Sequence, residues 1–158
     1  MKINYKGTLI SVKNIEKSKK FYMDLFNEEI LMDLGNYVAF KSGLYLHSKF
    51  HQLISKQKVE IKYHGIDHEL YYEVENFDEF LDKLNSIEKP VFLNKPYITP
   101  WNQNVVRIFD PDFHIIEIGE SMDSIIARLL KEGKTKEEIV KITEFPLPLI
   151  DEIINKNS

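Results

Sequence analysis

The residues able to do chemistry in this 158-residue chain are few in kind. Cysteine is absent, which removes thiolate nucleophiles, disulfides and sulfur metal ligands together. What remains is five histidines (His47, His51, His64, His68 and His114), 25 carboxylates, eight tyrosines and one tryptophan. Trp101 lies in the run Pro100-Trp101-Asn102-Gln103. Its indole offers a large rigid face with little rotamer entropy to lose, suited to stacking on a flat ligand, and equally able to plug a gap in the fold. Arg107 sits in the middle of an apolar run. Facing inward it would anchor an anion or pair with a carboxylate; facing outward it would be an ordinary solvated side chain. Arg107 and Arg128 are the only arginines beside many lysines, a compositional habit with no functional meaning of its own. His51, His64 and His68 read as solvent-side residues, and His114 as a surface residue at a turn.

The elements that position these groups are set by a repeat. Val12-Lys13-Asn14-Ile15-Glu16 returns 62 positions later as Val74-Glu75-Asn76-Phe77-Asp78. Each copy closes an apolar strand pattern and opens an amphipathic helix with an asparagine at its N-cap. In the first half, residues 30–34, 37–40 and 44–46 then read as short strands. In the second half Glu79 completes a capping box with Asn76, and residues 91–93, 105–109 and 115–118 are the matching strands. Pro96 and Pro100 bracket a loop before the middle strand, and Asp110-Pro111-Asp112 turns into the last. The polar, lysine-rich residues 49–65 read as a linker. The order is βαβββ twice, an α+β chain of two modules in which the cleft between halves would hold a small molecule.

Composition narrows the partners. A net charge of −4 and a pI of about 5.8 argue against coating a phosphate backbone. The longest apolar runs are too short to span a bilayer and the first residues lack a signal-peptide core, so a cytoplasmic protein is expected. The 43% hydrophobic content is enough for a packed core.

The run Asn14-Ile15-Glu16-Lys17-Ser18 with Phe21-Tyr22, and the later run from Val105 through Asp110-Pro111-Asp112-Phe113-His114-Ile115-Ile116-Glu117, resemble the vicinal oxygen chelate superfamily. That superfamily includes glyoxalase I, bleomycin- and fosfomycin-resistance proteins and extradiol dioxygenases. The resemblance covers residues 7–120 or so. It implies that each module curls into a half-barrel around a pocket. It also implies one divalent ion (Zn, Ni, Mn or Fe) held by inward-facing residues of the first and last strands of each half. Glu117 and Glu69 match two of those positions, with Glu117 the catalytic candidate. The third, by the repeat offset, is Gly7, which cannot ligate. The fourth, with residues 44–46 aligned on 115–117, is Leu46, which leaves His47 facing away unless a bulge or register shift turns it in. Two carboxylates alone make a weak metal site, and no metal is the favoured expectation. Alternatively the pair lines a wet cavity and shares a proton. The Pro-Trp-Asn loop resembles the Pro-Trp-Gly loop of bleomycin-resistance proteins, where an aromatic stacks on ligand. Asn36, Tyr37, Tyr45, Tyr71 and Arg107 are further lining candidates, Tyr45 and Tyr71 being equally suited to the core with a hydroxyl reaching water.

Residues 121–158 change character, with three helix patterns, an apolar stripe (Met122, Ile125, Ile126, Leu129, Leu130) and a capping box at Thr135 and Glu138. Six basic and seven acidic side chains leave no DNA-reading face. The stripe predicts packing on the rest of the chain, within the tail, or against a second subunit, with a homodimer favoured. The expected organisation is a domain over residues 1–120, with modules at about 5–50 and 66–120, and a helical extension over 121–158. Two functions follow. The first is a small-molecule-binding protein with an incomplete metal site. The alternative is a divalent-metal-dependent enzyme: a glyoxalase-type lyase, a fosfomycin-type transferase or a dioxygenase.

Overall fold

The computed structural model describes residues 1–54, 60–87 and 90–156. They form two units, one of residues 1–67 with Phe109–His114, the other of His68–Ile108 with 115–158.

In the first unit, β1 (Thr8–Ser11), α1 (Ile15–Phe26), β2 (Ile30–Asp33), β3 (Tyr37–Phe40) and β4 (Leu44–His47) follow one another, then a short helix α2 (Phe50–Ile54). The sheet order is β1-β4-β3-β2, with β1 parallel to β4 and the other pairs antiparallel. α1 packs on β3 and β4, with Tyr22 against Phe40, so Val38, Phe40, Leu44 and Leu46 form the buried face. The Asp110-Pro111-Asp112 turn is held here by its carboxylates. Buried Asp110 accepts from the Tyr22 hydroxyl, the Asp112 and His114 amides and the His114 ring, and Asp112 accepts from Lys13 N and Ser18 Oγ. His114 is therefore tied into the fold and is not the surface residue its turn position suggested.

The second unit repeats the plan: β5 (Leu70–Val74), α3 (Phe77–Ser86), β6 (Val91–Ile98), β7 (Asn104–Phe109) and β8 (Ile115–Glu120), in the order β5-β8-β7-β6. Both sheets are four-stranded and neither closes into a barrel. The repeat holds at the level of single hydrogen bonds. The Asn14 side chain accepts from Lys17 N at 3.0 Å and the Asn76 side chain from Glu79 N at 3.1 Å, with nearly identical backbone angles. The Glu79 carboxylate meets the Asn76 side-chain amide, so this cap is not the full reciprocal box that Thr135 and Glu138 form.

Three sequence expectations change. α2 occupies the start of the expected linker, part of which (55–59) lies outside the described residues. β6 runs through Pro96 to Ile98, because on an edge strand a missing N–H can face away from the sheet. The last strands also align differently from the sequence expectation: Leu9 pairs with Tyr45 just as its counterpart Tyr71 pairs with Glu117. The last strands are thus offset by 72 residues against 62 for the first strands, a ten-residue lengthening of the second half. Tyr45, not Leu46, is the counterpart of Glu117.

The tail forms α4 (Met122–Lys131), α5 (Lys136–Thr143) and α6 (Leu147–Lys156). Ile125, Ile126, Leu129, Ile139, Ile150 and Ile153 make a core of their own, joined by Val140, Phe145 and Leu149. Most of the apolar stripe is therefore covered by α5 and α6, and its burial requires no second chain.

Candidate functional site

In β5 and β8 the register sets the faces. Leu70 and Tyr72 pair with Ile116 and Ile118 on one face; Tyr71 and Glu73 pair with Glu117 and Gly119 on the other. On that second face Arg107 of β7 is the centre. Its Nε donates to Glu69 Oε2 at 2.8 Å, Nη1 to the Tyr97 hydroxyl at 2.7 Å, and Nη2 pairs with both Glu69 and Glu117. Glu117 is the buried member, its side chain 11% exposed against 37% for Glu69. Partial burial works against the Arg107 charge, but the bonds to Glu69 and Tyr97 hold its pKa above the usual value.

A second chain of bonds runs from this face to the loop before β7. Buried Gln103 donates through Nε2 to the Tyr71 hydroxyl (3.0 Å) and to Glu120 O (2.9 Å), while its Oε1 accepts from Trp101 Nε1 (3.0 Å). The Tyr71 hydroxyl in turn donates to Glu73 at 3.0 Å. Burial first, then the neighbouring Glu73 carboxylate, raises the Tyr71 phenol above its ordinary pKa, with the Gln103 amide acting the other way. Tyr71 is thus a neutral donor and acceptor. Gly119 leaves room for this network, since a Cβ there would lie 2.5 Å from Gln103 Nε2 and 3.1 Å from the Tyr71 oxygen. Asn102 takes the left-handed backbone (φ 65°) that glycine tolerates best, so the departure from Pro-Trp-Gly is conformationally permitted.

The sequence candidates therefore fall into two groups. Tyr71, Arg107, Glu69 and Glu117 share one face of the second sheet, with Trp101 joined through Gln103. Tyr37, Tyr45 and His47 share one face of the first sheet, the face opposite α1. There Tyr37 stacks on Tyr45 with ring centres 6.1 Å apart and meets His47 at 6.2 Å. The expectation that His47 faces away from the counterpart of Glu117 is corrected by the register: His47 and Tyr45 are two apart on one face, while Leu46 is fully buried on the other. His47 Nδ1 accepts from Lys49 N at 2.9 Å. Burial, with smaller contributions from His51 and Lys49, lowers its pKa from the ordinary 6.5. Gly7 is excluded as a ligand position on steric grounds too. Its φ is +142°, and a Cβ there would sit 1.8 Å from Gly43 O.

Sequence reasoning missed Gln103, Tyr97, Glu120 and Arg128 as parts of this region. The one signal available for the first was its place two residues after the lone tryptophan. For a resident metal the donor set does not fit as it stands: both carboxylates at the matching positions are bound to a guanidinium. Among the described residues no three His, Cys, Asp or Glu side chains converge to hold an ion.

A model of the glyoxalase-like domain matches residues 5–123. A protein of unknown function from Agrobacterium tumefaciens is 27% identical, aligned over 77% of this chain and 97% of its own, with a TM-score of 0.70. Lactoylglutathione lyase from the same organism is similar at 24% identity over 75% and 93%, TM-score 0.56. A genomically encoded fosfomycin resistance protein from Listeria monocytogenes is similar at 14% over 77% and 96%, TM-score 0.54. The last two likenesses are of fold alone. No curated protein sequence matches the chain. Matched over both βαβββ modules, the chain belongs to the glyoxalase-like domain family of the vicinal oxygen chelate superfamily.

Proposed function

We propose that the protein binds a small organic molecule on the Tyr71–Arg107–Glu117 face of its second sheet, with Trp101 stacking at the edge, and does so without a divalent metal. The observation that carries this reading is the engagement of Arg107 by both Glu69 and Glu117. A guanidinium between the two carboxylates already supplies the positive charge that an ion would bring. The same engagement removes Arg107 as an anion anchor, since its charge is matched twice over. Recognition then rests on the Tyr71 and Tyr97 hydroxyls and on the indole face that Gln103 positions.

In this reading residues 1–120 form the binding domain and 121–158 the helical extension. Exposed apolar side chains on the edge strands, Leu31 and Met32 in β2 and Val91, Phe92 and Leu93 in β6, support a homodimer. No helix among the described residues is long and apolar enough to cross a membrane. A metal-dependent enzyme is the second reading, favoured by one fact: Glu69 and Glu117 lie on one face and meet at one centre.

Metal analysis of protein purified without chelator separates the two readings. The proposal expects less than stoichiometric Zn, Ni, Mn or Fe, with Trp101 emission changing on addition of bleomycin, catechol or S-lactoylglutathione as probes. Stoichiometric metal lost in Glu69→Gln and Glu117→Gln would establish the enzyme reading instead.

A further inference from the structure

The tail helices bear on the loop that carries Trp101 through one side chain. Arg128 of α4 donates from Nη1 to Asn102 Oδ1 (2.9 Å) and from Nη2 to Asn102 O (2.8 Å). It is itself held by Glu120, through Nε to Oε1 (3.1 Å) and Nη2 to Oε2 (2.9 Å). Glu120 Oε2 also accepts from Asn104 Nδ2 at 2.8 Å, and the Glu120 carbonyl takes the Gln103 amide that positions the indole. Each of the three residues after Trp101 is thus tied to the Glu120–Arg128 pair. The fork of the guanidinium is needed for this, because one side chain must reach a carboxylate, an amide oxygen and a carbonyl at once. α4 is fixed in turn by the tail's own core through Ile125, Ile126 and Leu129.

We infer that Arg128 is a positioning residue for the ligand-contacting loop, and that the helical extension braces Trp101 from behind. The inference rests on the reading that Trp101 borders the ligand. An indole 43% exposed to solvent is held by a bonded frame rather than by burial. Arg128 holds Asn102 in its left-handed conformation from both ends of the residue, side chain and carbonyl. Without that hold, the loop retains Thr99 and Gln103 as its internal partners and the indole samples more orientations. A rigid stacking surface binds a flat ligand at lower entropic cost than a mobile one.

Trp101 is the only tryptophan, so its fluorescence reports this loop without any ligand. The test compares wild type, Arg128→Met and Arg128→Lys by acrylamide quenching and time-resolved anisotropy, with far-ultraviolet circular dichroism as the control for folding. Local loosening predicts quenching raised about twofold and faster anisotropy decay in Arg128→Met with unchanged helix content. Arg128→Lys keeps a positive charge beside Glu120 and remains folded even if the methionine variant does not. As a lysine cannot span Glu120 and Asn102 together, it should show the same change at smaller amplitude. Quenching and anisotropy equal to wild type in folded Arg128→Lys, and in Arg128→Met where it folds, would overturn the inference. A failure of the probe molecules to bind would sink the ligand reading while leaving this measurement unaffected.

Discussion

Replacing Arg107 by methionine tests the electrostatic centre of the second sheet. The substitution keeps much of the aliphatic stem and removes the charge, leaving Glu117 buried beside Glu69 with no cation between them. Removing one partner of a fully buried ion pair costs about 3–5 kcal/mol. Here Arg107 is 24% exposed and Glu69 is 37% exposed, so water relieves part of the penalty. Discounting for that exposure gives about 2–3 kcal/mol for Arg107→Met at neutral pH. For a domain of this size that corresponds to a fall of roughly 5–10 °C in Tm. Urea unfolding followed by Trp101 emission is the suitable assay, because the probe and the perturbation lie in the same unit. Adding Glu117→Gln in the Arg107→Met background removes the stranded charge, so the double variant should regain about half of the loss. A single variant within about 0.5 kcal/mol of wild type, or a double variant no more stable than Arg107→Met, would refute the claim that these charges depend on one another.

Three further outcomes follow from the geometry. Gly7→Ala should destabilise by about 2 kcal/mol or more, because its Cβ would overlap Gly43 O in a backbone region hostile to side chains; an unchanged thermal melt would contradict the clash. Burial tends to raise the Glu120 carboxyl, but Arg128 and Asn104 hold it below its ordinary 4.5, so its contribution is complete above that pH and lost as pH falls through the folded-state value. The stability gap between wild type and Glu120→Gln should therefore close on acidification, and a gap constant to about pH 3 would speak against it. His47, lowered by burial, should titrate by NMR with a midpoint below 6.5. Below that pH the unfolded chain takes up the proton first, so wild type should lose stability faster than His47→Gln between neutral pH and mild acid; a midpoint at or above 6.5 would exclude the effect.

What could be read in advance, and what could not, divides along physical lines. The repeat was legible because its markers are local: an asparagine cap and the helix face behind it obey rules that act within four residues. The phase of the last strands was not, because β8 is buried along its whole length and offers no alternation to fix which side chains share a face. That phase comes from pairing with β1 and β5, far away in sequence. The placement of Glu69, Arg107, Tyr71 and Glu117 on one face followed from strand order and register, yet nothing local announced that Arg107 would bind both carboxylates. Arg107 was already a candidate partner for a carboxylate and holds two, whereas Arg128, passed over as part of a compositional habit, holds Glu120. The tail's capping box and stripe were visible, while its self-sufficiency depended on how three short helices meet.

The contact between Gly7 and Gly43 also limits where this sequence can go by single steps. Gly43 is itself left-handed, and a Cβ on it would lie 2.9 Å from Lys6 O. Neither glycine can change first without separating two backbones, and changing both at once requires β1 and the β3–β4 turn to move together. A glutamate or histidine at position 7, the position that the repeat offset matches to Glu69, is therefore separated from this chain by intermediates that fold less well. The neighbourhood of sequences around it is asymmetric. Substitutions on the exposed positions of the second sheet are one step away, whereas any side chain at position 7 lies behind a stability barrier.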